Sequence, residues 1–455
     1  MRSRLAILLF CLTAFCIVFA RQEWKRNIYT YDSFGYYVYL PAAFIYHDLG
    51  DLGFFPEINK KYNAFADSGK FTFGDCPGGK KNDKYAIGTA LFELPLFLVA
   101  HMYCTLGGDV ADGFTAPYQL AGIFSCIIWA VIGLFVLRKF LLGYFNDSVV
   151  AVTLLCIAIG TNLFYYTTLN QGLSHPFSFF LFASILFYTN AWYKGFNTKY
   201  LICLSLLLAL ALVTRPVNFV IVLIPLFWGV HNPPSLRERI DTLWIYRSKI
   251  VLAILICLPI VFLQLAYWRY TSGHWIYFSY KGEGFNFLHP KIFRGLFSYR
   301  KGWFVYTPIA FLGVIGFIPL WKKNKALVPS LVVFFTLLIY IVFSWKNWWY
   351  GGGFGCRPLI EALAVLSMPF AALLEAVLSL RKKLLTTMLY LSLAFFISLN
   401  IFQTWQFAMS IIHHDRMSRA YYWHVFGKTS INPDDYEKYL IDEKEYWREL
   451  NGVSK

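Results

Sequence analysis

The sequence predicts an all-α polytopic membrane protein: about eleven transmembrane helices, plus interfacial helices in a large first outer loop. Three observations carry this expectation. The 455 residues are 58% hydrophobic and only 15% charged, where a soluble domain carries about 25% charged residues. Apolar runs recur along the whole chain, near the ~20 residues needed to cross ~30 Å of hydrocarbon. The basic residues between those runs fall on alternate connections, as they do when one side of the membrane collects Lys and Arg.

The apolar runs place spans at 5–20, 116–137, 148–165, 174–193, 200–213, 216–230, 249–268, 303–321, 326–345, 358–378 and 384–403. With the N-terminus inside, every inner connection is basic. These carry Arg2 and Arg4; Arg138 and Lys139; Lys194 and Lys199; Arg237, Arg239, Arg247 and Lys249; Lys322, Lys323 and Lys325; and Arg381, Lys382 and Lys383. The short outer connection "YTTLNQGLS" (166–174) has no charge. The chain thus divides into a transmembrane domain, 1–403, and an outer C-terminal tail, 404–455. Residues 21–115 form the first outer loop and 269–302 a second. The tail is charged, and its end is expected to be helical.

One segment departs from the pattern. "AIGTALFELPLFLVAHMYCTLGG" (86–108) is long enough to span, yet counting it would place Arg138 and Lys139 outside and invert every later loop. Glu93, Pro95 and His101 also suit an interface better than lipid, so the segment is read as interfacial. The start, "MRSR" before an apolar run, is read as a retained first helix rather than a cleaved signal. The net charge of +16 belongs to this topology and does not call for nucleic acid as a partner. Six of the nine cysteines lie in apolar segments, and none forms a zinc-spaced set. Cys76 and Cys356 are the two placed to face water, with a bridge between them the lesser expectation. No internal repeat stands out.

The singular polar residues gather on the outer side. Arg215, in "LVTRPVNF", sits beside Pro216 between two apolar helices and breaks the positive-inside pattern. Its planar guanidinium matches phosphate oxygens; the competing reading is a snorkelling side chain at the headgroups. "WWYGGGFGCRP" joins a run of glycines, which permit close approach of a ligand, to Trp348, Trp349, Tyr350 and Arg357. Those aromatic faces suit sugar rings or an interfacial belt, and the stretch is read as a binding loop. Arg300 and Lys301 lie in "LFSYRKGWFVYTP", and His175 opens a span in "LNQGLSHPFSFF". Lys84 and Tyr85 begin the interfacial segment. Asp32 stands among Tyr29, Tyr31, Tyr36, Tyr37 and Tyr39, a dozen residues past the first helix. A carboxylate partly desolvated by aromatic rings gains basicity and suits a general base; it also suits the cap of the helix that follows. Residue types leave both readings open. In "IIHHDRM", His413 and His414 point apart on a helix and give only a weak metal signal. Asp75 and Glu283 are further loop carboxylates.

Taken in order, these motifs resemble the membrane-embedded glycosyltransferases of the GT-C superfamily, such as the protein mannosyltransferases and aminoarabinose transferases. "YDSFGYYVYLPA" is similar to the superfamily's acidic first-loop motif. "KYAIGTALFELP" resembles its "YPPGTPLLLAP"-type segment, and "LVTRPVNF" resembles its "LTKP" turn. The resemblance covers roughly residues 1–380. It implies transfer of a sugar from a polyprenyl-phosphate carrier to a hydroxyl acceptor at the outer face of the membrane, with inversion. In that scheme Asp32 is the base. The donor phosphate lies near Arg215 and Arg357. Lys84, Tyr85, His175, Trp349 and Tyr350 hold substrate. Ser33 stands where relatives carry a second carboxylate, which leaves a bound divalent metal open. "NQGLSH" replaces an acidic residue common after the third span, with His175 as its substitute. The location implied is a bacterial inner membrane with the site facing the periplasm.

The competing class is a transporter or flippase of lipid-linked sugars. That would need ionisable groups along a path through the membrane, and mid-span charges in this sequence are few. The topology itself is testable: a reporter fused at Asn146 reads cytoplasmic and one at Gly282 reads outer, and the reverse result inverts the register.

Overall fold

In a computed structural model, residues 1–450 are described apart from 67, 68, 70, 71 and 281; the side chains of 437, 449 and 450 are also outside the description. The chain enters through α1 (Arg2–Arg21). Next come two short helices, α2 (Asp32–Tyr37) and α3 (Tyr39–Phe44), and then α4 (Phe55–Tyr62). A hairpin of β1 (Phe73–Asp75) and β2 (Lys81–Asp83) follows, paired Phe73↔Asp83, Gly74↔Asn82 and Asp75↔Lys81. α5 (Gly88–Tyr103), α6 (Ala116–Leu141), α7 (Asp147–Ile159), α8 (Leu163–Thr168), α9 (His175–Gly195) and α10 (Thr198–Thr214) come next. α11 (Leu223–Phe227), α12 (Pro233–Ile245) and α13 (Arg247–Ser272) complete the middle. The remainder is α14 (Ile292–Phe297), α15 (Trp303–Tyr306), α16 (Pro308–Ile315), α17 (Phe317–Lys323), α18 (Val328–Ser344), α19 (Ala362–Ser379), α20 (Lys383–Ala408), α21 (Arg419–Val425), α22 (Asp434–Tyr439) and α23 (Glu443–Leu450).

The apolar runs read as spans are largely helical, although 148–165 and 303–321 are each broken into shorter helices, and the protein is a multi-pass integral membrane protein. Six helices are long and apolar enough to cross a bilayer, and shorter apolar helices accompany them. One of the six covers Gly88–Gly108, the segment read above as interfacial. Glu93 was part of the case against a span, because a carboxylate is costly in lipid. It is 1% exposed, turned into the protein, so that objection falls. Pro95 lies inside the helix.

The chain forms two compact units. One comprises 1–10, 141–165 and 283–455; the other comprises 11–140 and 166–282. In the second unit, the long segment after α1 folds around an aromatic core in which Phe34 meets Phe55, Phe65, Phe73 and Phe114. Tyr29 and Tyr37 stack with ring centroids 3.6 Å apart. The β-hairpin was not expected from the sequence. Its turn is Cys76–Lys80, where the Cys76 N–H donates 2.7 Å to Lys80 O and Gly78 and Gly79 both have positive φ, which glycine alone adopts freely. In the other unit, α19 packs against α7, α16 and α17. Asn400 of α20 donates 2.7 Å to Ile159 O and 3.0 Å to Thr161 O, satisfying carbonyls that the end of α7 leaves open. The tail is helical near its end, as expected, and α20 runs to Ala408, past the predicted tail boundary. All nine cysteines are free.

Gly316, between α16 and α17, lies against the Pro369 carbonyl of α19, where a Cβ would collide with backbone. Gly316→Ala should destabilise the detergent-purified protein by about 1–3 kcal/mol through overpacking. Gly195→Ala, where a Cβ meets nothing within 4 Å, should stay within about 0.5 kcal/mol. Thermal melts of both variants check this.

Candidate active site

Asp32 opens α2 rather than capping it; the cap position is Tyr31, whose positive φ of 47° turns the chain into the helix. Ser33 ties the turn, with its Oγ 2.9 Å from Thr30 N and 2.8 Å from Ile28 O. Tyr85 donates its hydroxyl to Asp32 Oδ1 at 2.5 Å. Burial first, and the Asp32 carboxylate among the further causes, hold the Tyr85 hydroxyl well above the usual phenol range, so it stays protonated and donates. Gly35 makes this approach possible, because a Cβ there would enter the Tyr85 ring. The Tyr36 ring covers Tyr85 with centroids 4.6 Å apart.

Tyr85 is pinned through its backbone as well. Its N–H donates 2.8 Å to Asp83 Oδ1 and its carbonyl accepts 2.6 Å from the Tyr39 hydroxyl. The strand carrying Asp83 is held by one face of α13. Gln264 Oε1 accepts from Ile87 N at 2.9 Å, Tyr267 Oη accepts from Asp83 N at 2.8 Å, and Thr271 Oγ1 accepts from Asn82 Nδ2 at 2.7 Å. Positions 264, 267 and 271 share a face because a helix repeats every 3.6 residues. Lys84 is 7% exposed, with its Nζ 5.6 Å from the Tyr85 ring centroid and 5.3 Å from that of Tyr280.

A second pair lies across the same unit. Arg215 Nη1 stands 3.2 Å from His175 Nδ1. His175 is the first residue of α9, and Arg215 is the extended residue that ends α10. The two pairs are joined by two close approaches. Gly88, three residues after Tyr85, lies so near Thr214 that a Cβ would stand 2.5 Å from the Thr214 nitrogen. Gly172, three residues before His175 with φ +84°, faces Ser33, a Cβ there standing 3.1 Å from Ser33 Cβ. The contacts form a closed circuit: Asp32 to Tyr85, Gly88 to Thr214, Arg215 to His175, Gly172 to Ser33, and back to Asp32. Four connections far apart in sequence are therefore linked within one unit.

Arg357, Trp349 and Tyr350 belong to the other unit. Trp349 is 3% exposed and carries the Arg300 guanidinium 3.6 Å from its ring centroid. Tyr350 has φ +57° and donates 2.7 Å to Val342 O. Arg357 starts a 3-10 turn directly after the glycine loop. Lys301 fastens that loop to the tail by donating to Gly353 O and, at 2.5 Å, to His414 O. Burial pushes the Lys301 amine down to about 7. His413 Nδ1 accepts from Asp415 N and Arg416 N, each at 3.0 Å. Among the described residues no group of three or more His, Cys, Asp or Glu could hold a metal ion.

The sequence reading missed Asp83, Tyr39, Gln264, Tyr267 and Tyr280. Asp83 lies in "KKNDKY", which reads as a solvated loop, and nothing local announces that the fold buries it to 1% exposure. Gln264, Tyr267 and Thr271 do form a legible polar stripe on an otherwise apolar helix.

No family model and no curated protein matches the sequence. Two solved structures of the oligosaccharyltransferase of Archaeoglobus fulgidus are similar in fold. The apo form is 12% identical with a TM-score of 0.50, and the alignment covers 95% of this chain and 59% of that one. The second, AglB in complex with an inhibitory peptide and a dolichol-phosphate, is also 12% identical with a TM-score of 0.50, over 96% of this chain and 59% of that one. This chain thus spans about three-fifths of the length of the chains it matches.

Burial holds the Asp83 carboxyl well above its ordinary 3.8. The unfolded chain then ionises at lower pH than the native one, so this group's contribution to stability is complete below about pH 4 and declines as pH rises. Asp83→Asn should flatten the fall in melting temperature between pH 4 and 8 relative to the parent protein. An unchanged profile would place an ionised carboxylate there. The comparisons show a likeness in fold to the Archaeoglobus fulgidus oligosaccharyltransferase, and in fold alone.

Proposed function

We propose that the protein is a membrane glycosyltransferase that moves a sugar from a polyprenyl-phosphate carrier to a hydroxyl of a glycan, lipid or protein. The observation that carries this reading is the closed circuit joining Asp32 and Tyr85 to His175 and Arg215. It supports assigning to one unit both a carboxylate fit to take a proton and a cation fit to hold a phosphate. The fold likeness to an oligosaccharyltransferase supports the same class.

The reaction then runs as follows. The acceptor hydroxyl gives its proton to Asp32 as its oxygen bonds to the anomeric carbon. The bond from that carbon to the phosphate oxygen breaks, and its electron pair stays on the phosphate. Attack opposite the leaving group inverts the anomeric centre. Arg215, oriented by His175, meets the charge growing on the departing phosphate, where a fixed cation is most effective. Tyr85 fixes the rotamer of Asp32 with a hydrogen bond to Oδ1, and the carboxylate takes the acceptor's proton. Lys84 adds a second positive charge beside Tyr85. Arg357 is assigned to donor phosphate, and Trp349 and Tyr350 to substrate, on the strength of the glycine loop that carries them. The basic inner connections support a site on the outer, periplasmic face of a bacterial inner membrane.

One observation favours the transporter reading. Glu93 is an acid buried within a membrane helix, and both of its carboxylate oxygens lack a hydrogen-bond partner among the described residues. Such residues often mark ion paths. Purified protein in detergent separates the two, because micelles have no compartments across which to transport. Conversion of labelled polyprenyl-phosphate sugar into a glycosylated acceptor is expected, with Asp32→Asn slower by about 10²–10⁴-fold. Full turnover by Asp32→Asn would remove the base. Donor-induced thermal stabilisation should weaken in Arg215→Ala; stabilisation that survives both Arg215→Ala and Arg357→Ala would remove the phosphate sites.

A further inference from the structure

Helix α12 forms the basic connection before α13, on the side read as cytoplasmic. It is 13 residues long and fixed at its start by a reciprocal capping box between Asn232 and Ser235, with two prolines in its first turn. None of its residues is buried. One side nevertheless faces the protein. Arg239 stands 3.6 Å from the Tyr193 ring centroid and donates to Trp228 O, and Leu243, one turn on, joins the small core around Trp192, Leu201 and Ala253.

Beside that side runs an apolar stripe that nothing covers. Leu236, Ile240 and Trp244 follow at intervals of four residues, and they are 41%, 58% and 67% exposed. Residues four apart lie on one face, so the stripe is continuous. The acids Glu238 and Asp241 fall on the far side of the helix, away from it. Arg237 borders the stripe. Arg247 caps its end, donating 2.9 Å to Trp244 O with its guanidinium 4.6 Å from the Trp244 ring centroid. Position fixes the environment: α12 ends at Ile245, and Arg247 begins α13, a 26-residue helix apolar enough to cross a bilayer. A helix so tethered cannot leave the membrane surface.

We propose that α12 is an anionic-lipid-binding helix. Leu236, Ile240 and Trp244 enter the acyl boundary of the leaflet on the side of the basic connections. Arg237 and Arg247 pair with phospholipid phosphates, and Glu238 and Asp241 face water. Helices with an apolar stripe flanked by cations lie in the interface plane in this way, and Arg near an anionic leaflet adds electrostatic attraction. The occupant is lipid rather than protein, because the stripe is only three side chains wide and is rimmed by cations that match phosphate.

The test uses the full chain in vesicles. An environment-sensitive fluorescent amino acid is placed at position 240 or position 238, and quenching by lipids with a shallow nitroxide on the acyl chain is read. In phosphatidylglycerol-rich vesicles, quenching at 240 should exceed that at 238 at least threefold. Arg237→Gln with Arg247→Gln should reduce the excess and lower the amount of phosphatidylglycerol retained on purification. Aqueous emission without quenching at both positions overturns the proposal. Blue-shifted, unquenched emission at 240 also overturns it, because the face is then covered by protein. Equal quenching in purely phosphatidylcholine vesicles, unaffected by the Arg substitutions, removes the anionic requirement.

Discussion

The hydrogen bond from Tyr85 to Asp32 is the constraint on which the candidate site depends. A carboxylate at the start of a short helix is otherwise free to rotate toward water. Here a phenol, kept protonated by burial, takes one of its oxygens and fixes the direction of the other. The bond is short-range, so it demands that two loop segments some fifty residues apart be held to a fraction of an ångström. Most of the first outer loop serves that demand. Gly35 clears space for the ring, Tyr36 covers it, and Asp83 and Tyr39 hold the Tyr85 backbone at its two polar ends.

That arrangement is rigid because α13 supports it from outside the loop. Gln264, Tyr267 and Thr271 receive three donors from successive residues of the hairpin and the segment behind it. Backbone and amide donors buried without partners are costly, so the loop has one low-energy seating on this helix. The Arg215–His175 pair depends on a different device. Pro216 stops α10 and leaves Arg215 extended, and the absent side chain of Gly88 lets the start of α5 sit directly on Thr214. A glycine on each side of the circuit, Gly88 and Gly172, thus does what no contact list of large side chains could do: it lets backbones carrying the charged groups come together.

Much of this was legible in the sequence. The spans followed from apolar length and basic flanks, both direct consequences of the bilayer. Asp32, Lys84, Tyr85, His175 and Arg215 were legible as polar residues in places where polarity is expensive. Other parts were not. For segment 86–108, Glu93 was weighed as if it faced lipid, whereas it is buried in the protein; a single sequence does not say which side of a helix meets protein. The β-hairpin escaped because three-residue strands have no periodicity to detect; only its Pro-Gly-Gly turn was visible. Asp83 escaped because hydrophilic neighbours make a loop look solvated. Trp349 was read by residue type as a flat face for a sugar; the Arg300 guanidinium over its ring was not legible, because that contact joins residues far apart in sequence.

The central claim is that one pocket joins a proton-accepting carboxylate to a phosphate-holding cation. An experimental structure with a non-transferable polyprenyl-phosphate sugar bound tests it most directly. The account predicts the phosphate within hydrogen-bonding distance of the Arg215 guanidinium and the face of the anomeric carbon opposite the phosphate turned toward the Asp32 carboxylate. A phosphate bound out of reach of Arg215, with Asp32 turned away from the sugar, would contradict it.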